Sequence, residues 1–271
     1  MKEMPFFIEG GGERLFAVLH RPEEPARRGF VFCHPFAEEK LWAHRIYVSF
    51  ARELAARGIA VLRFDERGHG DSEGVFVESS IDTRLEDTAR AISALREQEP
   101  GLERIGLLGL RFGATLAWLA AQRFPEVRDL VLWEPVTDGA KFMQEQLMRN
   151  LSTQLKTYGE VRVKREQLVA QMQSGQAVNS DGYELGWPLF EQVNALRLPG
   201  GTAPDCNCLV VQIDPITGKE PRPDLLELTS ACSSARLEQV EEQPFWREVK
   251  KYYGRAETLY ERTLKWMEEC A

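Results

Sequence analysis

Only four histidines occur among the 271 residues, His20, His34, His44 and His69, and none follows position 69. Any mechanism that needs an imidazole base later in the chain is therefore excluded. Cysteine is also scarce. The five residues at 33, 206, 208, 232 and 270 are odd in number and irregularly spaced, which suits reduced thiols in a cytoplasm and not a disulfide framework. Cys206 and Cys208 lack a second Cys/His cluster to complete four ligands, so neither a metal nor a cofactor is expected. Basic residues are outnumbered, 34 against 42 acidic ones, and the net charge of −8 argues against nucleic acid or an anionic membrane as partner. No segment approaches the ~20 unbroken apolar residues of a membrane span. The start, "MKEMPFFIEGGGERL", lacks the pattern of a secretory signal. The expectation is a cytoplasmic globular protein without internal repeats.

What is present is an alternation of strands and helices. "PFFIEGGGERLFAVLHRP" reads as two strands around a glycine-rich turn, and "GFVFCHPF" (29–36) as a strand buried in a parallel sheet. Val48, Ala51, Leu54 and Ala55 recur at helical spacing before Gly58, and "AVLRFD" (60–65) is the next strand. Ile81, Leu85, Ala89, Ile92 and Leu95 share one helical face. Strand "IGLLGL", a helix from Arg111 to Phe124 and strand "LVLWEPV" follow. This order predicts an α/β fold with a mostly parallel sheet and helices on both faces. Residues 139–198 are helix-forming, with no clear strand until "CLVVQID", and are too long for an ordinary connection. The expected organisation is a core of 1–138 and 199–271 with a helical cap at 139–198. "RLEQVE" and the helix "ETLYERTLKWMEE" close the chain, with Leu259, Thr263, Leu264 and Met267 facing inward.

Three features in order point to the α/β-hydrolase fold: His34-Pro35 after an early strand, the loop "FDERGHGDS" (64–72), and the strand–turn–helix at "GLRFG" (109–113). In that fold the centre of the turn is a serine nucleophile, followed later by an acid and then a histidine. Here the centre is Arg111, whose guanidinium stays protonated and cannot attack. With no late histidine, two of the three triad members are missing. Ser72 reads as a turn-stabilising serine. Cys33 and His34 are neighbours in a strand and point to opposite faces, which argues against a Cys–His dyad.

The segments "HPFAEEK" (34–40), "GLRFGATLA" (109–117), "LWEPVTDGAKFMQEQLMRN" (132–150), "GYELGWPL" (182–189) and "PFW" (244–246) resemble the second hydrolase-like family associated with the exosortase A system. The resemblance spans almost the whole chain. It implies the α/β-hydrolase fold, arginine at the elbow, "PFW" where a catalytic histidine loop would lie, and a link to bacterial exopolysaccharide production and surface sorting. Glu134 departs from the pattern, standing where an uncharged glutamine is expected.

A cation at a helix start is unfavourable unless an anion joins it. Arg111 is expected either to pair with an internal carboxylate (Glu39, Glu134 or Asp138) or to hold a small anionic ligand under the cap. The ligand site is expected to comprise Arg111, Phe112, Phe36, Trp133 and Glu134. Trp187, Phe190, Phe245 and Trp246 are further aromatics for a cavity wall. The leading functional reading is a catalytically inactive or non-classical accessory or ligand-binding protein. The alternative is a hydrolase acting on an anionic ester or thioester through His34, Glu39 and Arg111. A third reading has the cap binding a protein partner through Met143, Met148 and Met172.

Overall fold

The computed structural model describes residues 1–216, 218–248 and 253–270. The chain opens with β1 (Lys2–Ile8) and β2 (Leu15–Arg21), followed by β3 (Arg28–Cys33), α1 (Glu38–Ala56) and β4 (Ile59–Phe64). Next come α2 (Ile81–Gln98), β5 (Arg104–Leu110), α3 (Phe112–Arg123) and β6 (Val127–Trp133). A long excursion holds α4 (Gly139–Tyr158), α5 (Arg165–Gln173), β7 (Val178–Ser180), β8 (Tyr183–Leu185) and α6 (Trp187–Ala195). The chain then returns through β9 (Asn207–Asp214), α7 (Pro223–Ser230), β10 (Ala235–Glu241) and α8 (Glu257–Glu269).

Eight strands form one sheet in the order β1-β2-β4-β3-β5-β6-β9-β10, parallel except where β1 and β2 pair and β2 meets β4. The apolar run of β3 is buried because helices cover both faces. Its side chains alternate as period two requires: Val31 and Cys33 join the α2–α3 side, Phe30 and Phe32 the α1–α8 side. The separation of Cys33 from His34 follows, since His34 stacks on Tyr47 of α1, 4.9 Å between ring centres. At the start of α2, Ser80 and Thr83 cap one another's backbone N–H groups, which explains why that helix begins where its apolar face does. On α8, Leu259, Thr263, Leu264 and Met267 are all buried.

The excursion is not purely helical. β7 and β8 form a small hairpin turned by Asp181 and Gly182, both at positive φ (50° and 92°). An Asp-Gly pair is the strongest short hairpin signal, but three-residue strands are too short to show alternation. The excursion's apolar face packs over the C-terminal ends of the strands, where Phe142, Met143 and Leu147 of α4 meet Phe36, Phe112 and Leu116. No helix among the described residues is long and apolar enough to cross a membrane.

Candidate functional site

Arg111 occupies the tight turn between β5 and α3 at φ 54° and ψ −121°, a conformation that costs a non-glycine residue about 1–3 kcal/mol. The flanking glycines make that turn sterically feasible. A Cβ on Gly109 would lie 2.2 Å from the Gly113 carbonyl oxygen, and one on Gly113 would lie 2.3 Å from the Cys33 oxygen and 2.4 Å from the His34 oxygen. The Arg111 N–H donates to the Trp133 carbonyl at 2.9 Å, tying the elbow to β6.

The guanidinium is mostly buried and loosely paired. Its Nε lies 3.7 Å from Glu39 Oε2 and its Nη2 3.4 Å from Glu145 Oε2. Glu39, 1% exposed, also meets Arg149 at 3.2 Å, and Arg149 reaches Asp181 at 3.4 Å. Burial pushes the Glu39 carboxyl above its ordinary range, and the charges of Arg111 and Arg149 oppose that shift. Two rings flank the cation, Phe142 at 5.8 Å and Trp246 at 5.6 Å. Trp246 belongs to the "PFW" segment, so the elbow and the late loop still meet, but as a cation and an aromatic ring.

Beside Arg111 lies a cavity of about 330 Å³, bordered by Thr137, Lys141, Phe142, Arg222 and Asp224 among others. Three helices start at its wall: α3 after Arg111, α4 after Asp138 and α7 after Arg222. Their free N–H ends favour negative charge. Most of the charged lining is committed elsewhere. Asp138 accepts from the Lys141 N–H and pairs with Arg197 at 3.2 Å. Arg222 pairs with Glu134 and Asp224. The Lys141 ammonium has no ion pair among the described residues, and Lys141 and Glu145 also border a second groove along α4, next to Trp42 and Met148.

Several expected positions need correction. Phe36 and Phe112 do not border the cavity; both are buried in the apolar layer beneath α4, edge-on to each other at 5.8 Å. Trp133 is fully buried under the sheet and donates to Thr263 Oγ1 at 3.1 Å. Glu134, at φ 47°, accepts from the Ile213 N–H at 2.8 Å and pairs with Arg222, so its charge is spent on β9 and α7, not on Arg111. His34 makes no hydrogen bond or ion pair to Glu39 or Arg111. Its Nδ1 is buried without a partner, and burial together with the Lys40 and Arg63 charges holds the ring neutral. Met143 and Met172 are buried and Met148 alone is exposed, so no methionine surface exists on the excursion. Lys141, Glu145 and Arg222 were not anticipated. The signal for Arg222 is the Pro223 that opens α7; nothing local to α4 tells which face Glu145 turns to the elbow.

The "FDERGHGDS" loop is structural in its details. Ser72 Oγ donates to the Asp65 carbonyl at 2.6 Å and accepts from the Phe16 N–H at 2.8 Å. Lys40 bridges Asp65 Oδ1 (2.5 Å) and His69 Nδ1 (3.2 Å), and His69 stacks on Tyr183 of the hairpin. Burial pushes His69 down to about 4, aided by the Lys40 charge, and pushes His20 down to about 4, aided by Arg63. Both rings titrate near 6.5 when unfolded. Between pH 6.5 and 4 the unfolded chain thus binds more protons, so stability is full above pH 6.5 and falls as pH drops toward 4. Urea midpoints measured from pH 7 to 4.5 should decline through this window; midpoints unchanged down to pH 5 would contradict the assignment.

An eight-stranded, mostly parallel sheet, an elbow before α3 and helices on both faces define the α/β-hydrolase fold. The chain belongs to the Hydrolase_4 family (serine aminopeptidase, S33), whose model matches residues 24–184. It is 28% identical over 134 residues to a monoacylglycerol lipase of Mycolicibacterium smegmatis, covering 49% of this chain and 46% of the relative. It is 27% identical over 137 residues to human monoglyceride lipase, covering 50% and 44%. The chain thus spans about half the length of the curated relatives it matches. Among solved structures, Est1E from Butyrivibrio proteoclasticus with bound ferulic acid superposes with a TM-score of 0.74 at 17% identity, covering 97% of this chain and 98% of the other, a likeness of fold.

Proposed function

We propose that this chain is a non-hydrolytic member of its family that binds a small anion, a carboxylate or phosphate group, at the elbow. The observation that carries the reading is the Arg111 guanidinium, held in the nucleophile's place beside a cavity where three helix starts converge with Lys141, whose ammonium has no ion pair among the described residues. Arg111 satisfies Glu39 and Glu145 only at 3.7 and 3.4 Å, which leaves it capacity for a bidentate partner. Residues 139–198 act as a cap over this cavity, on a core of 1–138 and 199–271. The motif resemblance supports a role as an accessory component in bacterial exopolysaccharide and exosortase functions. The rival esterase or thioesterase reading through His34, Glu39 and Arg111 draws no support from His34, which faces Tyr47.

The test has two arms. A serine-directed fluorophosphonate should fail to label the protein, and stoichiometric labelling would overturn the proposal. Arg111→Ser should not hydrolyse p-nitrophenyl butyrate above background, because no histidine beyond position 69 can activate the serine. Rapid hydrolysis by that variant would reveal a base elsewhere.

A further inference from the structure

One face of α4 carries Lys141, Gln144, Glu145, Met148, Ser152 and Thr153, which recur at spacings that fall on one side of a helix. That face forms one wall of a groove of about 890 Å³, and Glu38 and Trp42 of α1 and Asp181 of the hairpin turn border it as well. The groove and the elbow cavity share Lys141 and Glu145. Two sets of contacts also join them. Glu145 meets Arg111 at 3.4 Å, and Glu39 meets both Arg111 at 3.7 Å and Arg149, which lines the groove, at 3.2 Å.

The lining is chemically mixed. Trp42 is 43% exposed and has no ring partner among the described residues; it and Met148 are the groove's apolar walls. Gln144 and Thr153 are exposed, and their side chains make no hydrogen bond among the described residues. Basic and acidic side chains balance, four of each. An alkyl chain would touch two apolar side chains here and strip water from charged ones without replacing it. A polyanion draws no net attraction from balanced charge. A sugar ring suits both parts of the lining. Its hydroxyls donate and accept as a serine does, and its C–H face can lie on an indole.

We propose that the groove holds a sugar ring of an acidic saccharide whose carboxylate or phosphate group sits on Arg111, with the ring stacked on Trp42. This rests on the reading of the elbow as an anion site. Gln144, Thr153 and the balanced charges then bind hydroxyls, and the acid group alone supplies the net charge.

Isothermal titration of the whole protein compares each acidic sugar with its bare anion. Lactobionate, a neutral galactose ring joined to one carboxylate-bearing unit, is set against acetate, and glucose 1-phosphate against inorganic phosphate. At least one sugar should bind about tenfold tighter than its anion, and Trp42→Ala should shrink that ratio to about twofold or less. Trp42 belongs to no core cluster, so its removal should leave the fold intact. The indole N–H resonance that disappears in Trp42→Ala should shift when the sugar is added to wild type and stay in place with the bare anion. Bare anions that bind while neither sugar gains, or a gain that survives Trp42→Ala, would overturn this inference and leave the anion site standing. Octanoate binding tighter than lactobionate would overturn it too. Binding by none of the probes would overturn both.

Discussion

Arg111→Glu is expected to lower stability by about 3–5 kcal/mol at neutral pH and to abolish anion binding. The substitution replaces the positive charge shared by Glu39 and Glu145 with a third carboxylate in a mostly buried place. Breaking a buried pair from one side leaves the other charge uncompensated, which is the costly direction. The low-dielectric surroundings amplify the repulsion. The introduced carboxyl, crowded by its neighbours, would titrate above its unfolded value. Its penalty is therefore full at neutral pH and shrinks as pH falls through the raised folded value. Urea unfolding of Arg111→Glu and the near-isosteric Arg111→Met at pH 7.5 and 5.5 separates the charge effect from lost packing. A loss for Arg111→Glu no larger than for Arg111→Met would show that the network carries little energy.

Arg84→Ala should be comparably damaging, by about 3–5 kcal/mol. Arg84 is 1% exposed, pairs with the buried Glu66, and lies over the rings of Phe36 (5.8 Å) and Phe76 (5.4 Å). Burial pushes its guanidinium down to about 10, so the site already strains to keep the charge. Removing it strands the Glu66 carboxylate and opens a void under Phe36, whose ring supports Phe112 and Phe142 below the elbow cavity. Replacing both partners with apolar residues, Arg84→Met with Glu66→Leu, should recover most of the loss. Chemical denaturation with a fitted m-value checks both; a single-variant loss under about 1 kcal/mol would contradict the buried-pair account.

Much of this architecture can be read directly from residue order. Apolar runs such as "GFVFC" and "IGLLGL" demand cover on both faces, and glycines at 109 and 113 announce a backbone approach too close for a Cβ. The Arg111–Glu39 contact is also readable as a possibility, because a cation at a helix start needs an anion. What is not readable is which anion. Glu39, Glu134 and Asp138 are equivalent by sequence, yet the positive φ at Glu134 turns its carboxylate toward Arg222 and Ile213, and Asp138 is used as a helix cap. Phe36, Phe112 and Trp133 adjoin the strand ends and look like pocket walls. Their apolar area is better spent against α4 and α8, where it is removed from water entirely. The hairpin at Asp181-Gly182 and the helix opened by Pro223 carried their own local signals, masked by the length of the loops around them.

The contact between Arg111 and Trp246 differs in kind from a serine–histidine pair. A serine and a histidine exchange a proton; a guanidinium and an indole exchange none, and the ring holds the cation in place without neutralising it. The elbow keeps its strand–turn–helix geometry with a cation at its centre.

The central claim is that Arg111 holds an anion. Thermal unfolding of the wild type and Arg111→Gln, in phosphate, sulfate and butyrate against chloride at matched ionic strength, tests it most directly. Binding to the native state raises Tm in proportion to the logarithm of ligand concentration. The account predicts a concentration-dependent rise in wild-type Tm with at least one of the three anions and no such rise in Arg111→Gln. An equal rise in both proteins, or none in the wild type, would contradict it.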